Sequence, residues 1–138
     1  NVGGRIVCGQ ISDKIGRIQT LTVMLVLAIV GLAMLFLCGN SLPLFFAGIC
    51  FVGFSYGAFL GVYPGFTADQ FGARYNTTNY ALMFLGMALA GIFGPSCASK
   101  IYQATDSYLP AFLCAIVLAL VGILLTFVYR RLNRGKAA

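Results

Sequence analysis

Asp13, Lys14 and Arg17 fall within five positions, bracketed by Gly9 and Gly16, in a chain with only 9 basic and 3 acidic residues. The chemistry open to such a set is ionic. A carboxylate there can take charge-assisted hydrogen bonds from a guanidinium fork, or sit near a helix start where backbone N–H groups attract it. Catalysis has no footing in the same residues. The chain contains no His, and its acids, Asp13, Asp69 and Asp106, are widely spaced. No phosphate-cradling loop is present, and Cys8, Cys38, Cys50, Cys97 and Cys114 lack the close pairing of a zinc site or a disulfide framework. Neither an enzyme, a metal nor a cofactor is expected.

The elements that must position these charges are apolar. Hydrophobic residues make up 60% of the 138 and charged ones 9%, against roughly a quarter charged in a soluble domain. So few polar side chains cannot cover a water-facing surface, which makes the membrane the expected solvent. Residues 18–68, 75–99 and 107–129 carry no charge, and the first run is divided by Gly39-Asn40-Ser41-Leu42-Pro43. About 20 helical residues cross a hydrocarbon core of roughly 30 Å. The sequence therefore predicts an all-α membrane protein with four transmembrane helices near 18–38, 42–67, 78–103 and 109–130. Gly39 serves as the helix stop, Ser41 as the cap and Pro43 as a first-turn residue. Continuous apolar runs without alternation disfavour a β-barrel. Residues 1–17 are read as the end of a preceding helix and a motif loop, and 131–138 as a basic tail.

All basic residues except Lys100 fall on alternate connections. The positive-inside rule makes that side cytoplasmic, the C-terminus included. Their spread over loop ends leaves no continuous basic face for a nucleic acid, so none is expected as a partner. Within the motif, Gly9 would let its helix approach a neighbour closely. Gly16 would supply a left-handed turn, and Arg17 would open the next helix with its fork facing a carboxylate. Gly53, Gly57, Gly61 and Gly65 form a stripe of period four, and Gly86, Ala90, Gly94 and Ala98 a second. Such rows chiefly serve helix packing in lipid. Pro64 reads as mostly structural, and Pro95, deeper in its span, as a hinge. No acid lies deep in a span, so a proton-carrying carboxylate is not found here.

The spacing Gly9, three residues, Asp13, Lys14, one residue, Gly16, Arg17 resembles the loop signature of the major facilitator superfamily. Residues 54–95, with Tyr56-Gly57, Pro64, FTADQFG at 66–72, Asn79-Tyr80 and Gly91 to Pro95, look like helices ten and eleven of that superfamily's oxalate/formate antiporter group. The resemblance implies the C-terminal part of a twelve-helix transporter, from the end of helix eight through helices nine to twelve. It implies alternating access in the cell membrane for a small organic anion, oxalate/formate-like or monocarboxylate. Partners would be that anion, membrane lipid and the remaining helices. Helices ten and eleven line the central cavity of the superfamily, which makes Tyr56, Tyr63 and Tyr80 the cavity candidates. Oxalate-carrying members are expected to place a lysine in helix eleven; Leu85 or a neighbour stands in that region here, which favours a small monocarboxylate or another organic anion over oxalate. Asp69 is expected to pair with Arg17, and Asp13 with a helix of the other half. The alternative is a self-contained four-helix membrane scaffold or assembly protein.

Overall fold

Gly16 alone separates the first two helices. In the computed structural model, which describes residues 1–39 and 41–134, side chains through 132, α1 runs Val2–Ile15 and α2 runs Arg17–Leu37. Residues 9–15, expected as part of a loop, are thus helical. The physical reason is that nothing before Gly16 breaks the helix. The Ser12 hydroxyl donates back to the Gly9 carbonyl at 2.7 Å, and the Gly16 N–H caps the Ser12 carbonyl at 3.0 Å. Gly16 has φ 103° and ψ 140°, so its φ is positive as expected, but its ψ is extended rather than left-handed helical. Side chains rarely adopt that backbone state, and glycine enters it freely.

The remaining elements are α3 (Leu42–Phe71), a 3₁₀ turn (Ala73–Tyr75), α4 (Asn76–Thr105) and α5 (Leu109–Arg134). Pro43 stands in the first turn of α3, while Ser41 sits at its N-cap without a side-chain capping bond. Asn40, of the expected turn, and residues 135–138, of the expected tail, lie outside the described residues. Helix α3 runs past residue 67 to Phe71, where Gly72, at φ 82° and ψ 155°, ends it. Asp106 ends α4 in the left-handed conformation, its N–H on the Tyr102 carbonyl at 2.8 Å. Among the described residues, four stretches are long and apolar enough to cross a membrane: Arg17–Leu37, Leu42–Phe71, Ala73–Thr105 and Leu109–Leu132. Helices satisfy their own backbone in lipid, which explains why so apolar a chain takes this form.

Helix α3 is the hub. It packs against α1 on one side and α2 on another, burying Cys8, Leu21, Met24, Ala58 and Val62 together. Close approach depends on missing side chains. A Cβ on Gly61 would lie 2.6 Å from the Arg5 carbonyl oxygen, and one on Gly48 2.8 Å from Leu35 Cγ. On α1 the close contact falls at Gly4, against the Phe54 carbonyl, whereas a Cβ on Gly9 would meet only the Gly61 oxygen at 4.0 Å. Helix α5 leans on α2, and α4 touches α3 and α5 more lightly. No residue of α4 is buried, and Cβ atoms on Gly86, Gly91 and Gly94 would meet nothing within 4 Å.

Candidate functional site: an arginine junction and a tyrosine groove

Arg17 begins α2 and gathers the ends of two other helices. Its Nη2 lies 2.7 Å from Asp13 Oδ1, in the last turn of α1. Its Nε donates to Asp69 Oδ2 at 3.0 Å, in the last turn of α3. Its Nη1 donates to the buried Ser12 hydroxyl at 2.9 Å. One planar fork thus serves three acceptors, in a spread geometry that the compact ammonium of a lysine does not match. The arginine side chain is 23% exposed, but the carboxylates are 61% and 54% exposed. Each pair by itself is therefore worth little, about 0–1 kcal/mol. Pinning three helix ends together is the stronger consequence.

Two members of this junction were not apparent in the sequence. Ser12 carried no spacing signal. Gly65 lies one turn before Asp69 and makes room for the guanidinium; a Cβ there would lie 2.7 Å from Nη2. Its membership in the glycine stripe pointed to helix packing, and the structure adds a charged side chain as what it accommodates. Asp13, expected to engage a distant helix, binds Arg17. Lys14 forms no ion pair among the described residues and sits in the last turn of α1, where the helix dipole favours a cation.

Tyr56, Tyr63 and Tyr80 line one groove of about 310 Å³ between α3 and α4. Tyr56 and Tyr63 are two turns apart on one face of α3. Phe59 stacks on Tyr63 with centroids 5.9 Å apart, and Phe84 tilts against Tyr80 at 5.6 Å. Met83 and Met87 complete the wall, and no charged side chain lines it. Among the described residues, none of the three tyrosine hydroxyls makes a hydrogen bond. Ser55 and Ser96, by contrast, are turned onto their own helices, bonding Phe51 O at 2.9 Å and Ile92 O at 2.8 Å. The groove can therefore offer O–H donors on an aromatic wall, with the countercharge for an anion supplied from elsewhere.

The prolines differ in their surroundings. Beside Pro64, Asn76 Nδ2 donates to the Pro64 carbonyl at 3.3 Å, and Asn76 Oδ1 lies 2.8 Å from Thr67 Oγ1. Thr67 Oγ1 is also 2.9 Å from the Pro64 carbonyl, so one hydroxyl proton is shared among several acceptors. This ties the start of α4 to α3 across Gly72. Asn76→Ala is expected to lower thermal stability by about 1 kcal/mol, read as the unfolding midpoint in detergent. Helix α4 is unbroken through Pro95.

The fold and groove define an all-α integral membrane protein. The sequence profile of the Major Facilitator Superfamily matches residues 2–138, and the chain belongs to that family. It is 31% identical over 137 residues to the oxalate:formate antiporter of Oxalobacter formigenes, covering 97% of this chain and 32% of the relative. It is also 36% identical over 92 residues to the uncharacterized MFS-type transporter YhjX of Escherichia coli strain K12, covering 67% of this chain and 23% of the relative. The chain thus spans a third or less of the length of these relatives. No solved structure gives a significant match.

Proposed function

We propose that the chain forms part of a secondary active transporter that carries small organic anions across the cell membrane by alternating access, with its C-terminus cytoplasmic. The observation that carries this reading is that Tyr56, Tyr63 and Tyr80, whose hydroxyls are unengaged among the described residues, line one groove of a superfamily member. Phenol donors can bind a carboxylate end-on while aromatic rings enclose its carbon. The lining of the groove lacks a cation, so a monocarboxylate suits it better than a dicarboxylate. The net attraction for the anion comes from the remaining helices. Arg17, held between Asp13 and Asp69, is the latch that stabilises one state, and Pro95 is the hinge in α4. Family membership favours this reading over a four-helix scaffold.

The test is uptake of labelled formate and oxalate into proteoliposomes holding this segment in a transporter of the relatives' full length. Formate is expected to be preferred. Each of Tyr56→Phe, Tyr63→Phe and Tyr80→Phe should lower kcat/KM by roughly ten- to hundredfold, the worth of one hydrogen bond to a charged group. The triple variant should approach background. Unchanged transport in the triple variant refutes the groove as the substrate site.

A further inference from the structure

A different part of the bundle, independent of the substrate reading, carries a binding site. At the end bearing Arg17 and Arg130, two cavities meet. The first is a groove of about 490 Å³ between α2, α3 and α5, walled by Leu21, Leu25, Phe59, Leu125 and Thr126. From Gly122 to Tyr129 it follows two turns of α5, roughly 10 Å of helix. The second is a polar pocket of about 310 Å³ lined by Arg17, Gln19, Asp69, Gln70 and Arg130. Ile18 and Phe66 line both. Tyr129, in the wall of the groove, also hydrogen-bonds Gln70 of the pocket and meets Phe66 edge-on with centroids 5.9 Å apart. The apolar groove and the polar pocket thus share a wall.

The charges in that pocket are unequal in their commitments. Arg17 is already engaged by two carboxylates, Asp13 at 2.7 Å and Asp69 at 3.0 Å, and has no charge to spare for a ligand. Arg130 makes no ion pair among the described residues. With the Gln19 amide oxygen turned toward it, that oxygen lies 3.2 Å from Arg130 Nη2. A cation outside any ion pair, beside an apolar groove in a chain that spans a membrane, complements one kind of molecule. That molecule has an anionic head and a hydrocarbon tail, and the bilayer supplies it at high local concentration.

We propose that this is a site for an anionic phospholipid, with its phosphodiester on Arg130 and the Gln70 amide N–H₂, and one acyl chain lying in the groove between α2 and α5. Arginine suits this role because its fork takes two phosphate oxygens at once. The lipid would then bridge α5 to the end of α2 that carries Arg17.

The experiment is native mass spectrometry of the full chain titrated with phosphatidylglycerol or phosphatidylcholine. Phosphatidylglycerol should be retained at least about fivefold better, the effect expected of one basic residue facing an anionic headgroup. Arg130→Gln should abolish the preference and Arg130→Lys should keep most of it. Thr126→Phe, which fills the groove, should reduce retention of both lipids. Arg131→Gln removes the same charge from the neighbouring position and should leave the preference intact. Inorganic phosphate at millimolar concentration should not displace the lipid. Equal retention of the two lipids by the parent chain overturns the proposal, as it would where a protein helix covers the groove. An equal loss in Arg131→Gln and Arg130→Gln reduces the effect to diffuse surface charge and overturns it too. Displacement by inorganic phosphate likewise overturns it, in favour of a simple anion site.

Discussion

Replacing Arg17 by alanine should lower stability by about 1–2 kcal/mol, more than removing either carboxylate partner. Asp13→Asn and Asp69→Asn each leave the guanidinium with its other carboxylate and with Ser12, so each should cost about 0.5 kcal/mol. Arg17→Ala instead leaves Asp13 and Asp69 without their cation and the buried Ser12 hydroxyl without its donor. Arg17→Lys should fall between, because one ammonium cannot hold three acceptors set around a planar fork. Raising salt should narrow the differences among the carboxylate variants, since both acids are more than half exposed. Gly65→Ala supplies the second arm of a double-mutant cycle. Its Cβ would displace the guanidinium, so it should cost stability in the parent and little once Arg17 is alanine. Thermal unfolding midpoints in detergent measure all of these. Additive effects of Gly65→Ala and Arg17→Ala would show that Gly65 serves only helix packing.

The way this junction forms shows what the sequence could reveal. Arg17 and Asp69 flank the longest uncharged stretch of the chain, and two antiparallel spans return such residues to the same side of a membrane. Charge placement and span length bring them to one side; that they pair was implied by the family resemblance, and they lie 3.0 Å apart. The same logic made the four apolar helices legible, because lipid leaves few alternatives for an uncharged run. Ser12 was hidden because its neighbour in space, Arg17, lies across a backbone state that only Gly16 specifies. Gly16 invited a left-handed turn, yet φ 103° with an extended ψ keeps residues 9–15 helical up to the junction. The motif pointed to Gly9 as the place of close approach. The choice fell to Gly4 through the crossing of α1 over α3, which no local pattern encodes. The tyrosine groove needed two pieces of information. Seven-residue spacing put Tyr56 and Tyr63 on one face, but the arrival of Tyr80 depends on how α4 folds back after Gly72.

The same small change at two glycines should have opposite effects, and the contrast tests which faces of the bundle are finished. Gly61→Ala should destabilise the chain by about 1–3 kcal/mol, the usual cost of forcing extra atoms into a packed contact. Its Cβ would lie 2.6 Å from the Arg5 carbonyl oxygen and 3.0 Å from the Arg5 Cα, and backbone can yield only by moving α1 away from α3. Because Arg5 and Cys8 share α1, that movement would also open the buried cluster around Cys8, Ala58 and Val62. Gly94→Ala meets nothing within 4 Å. It should be neutral or stabilising by up to about 1 kcal/mol, because alanine is the better helix former. Under the proposed transporter reading, the α4 face carrying Gly86, Ala90 and Gly94 packs against further helices of the same protein. In a protein of the relatives' length the sign at Gly94 should then reverse, while Gly61→Ala remains costly in both. Comparison of unfolding midpoints for the two substitutions, in this chain and in the longer protein, decides the matter. A Gly94→Ala gain that persists in the longer protein would mean that this face meets lipid rather than protein.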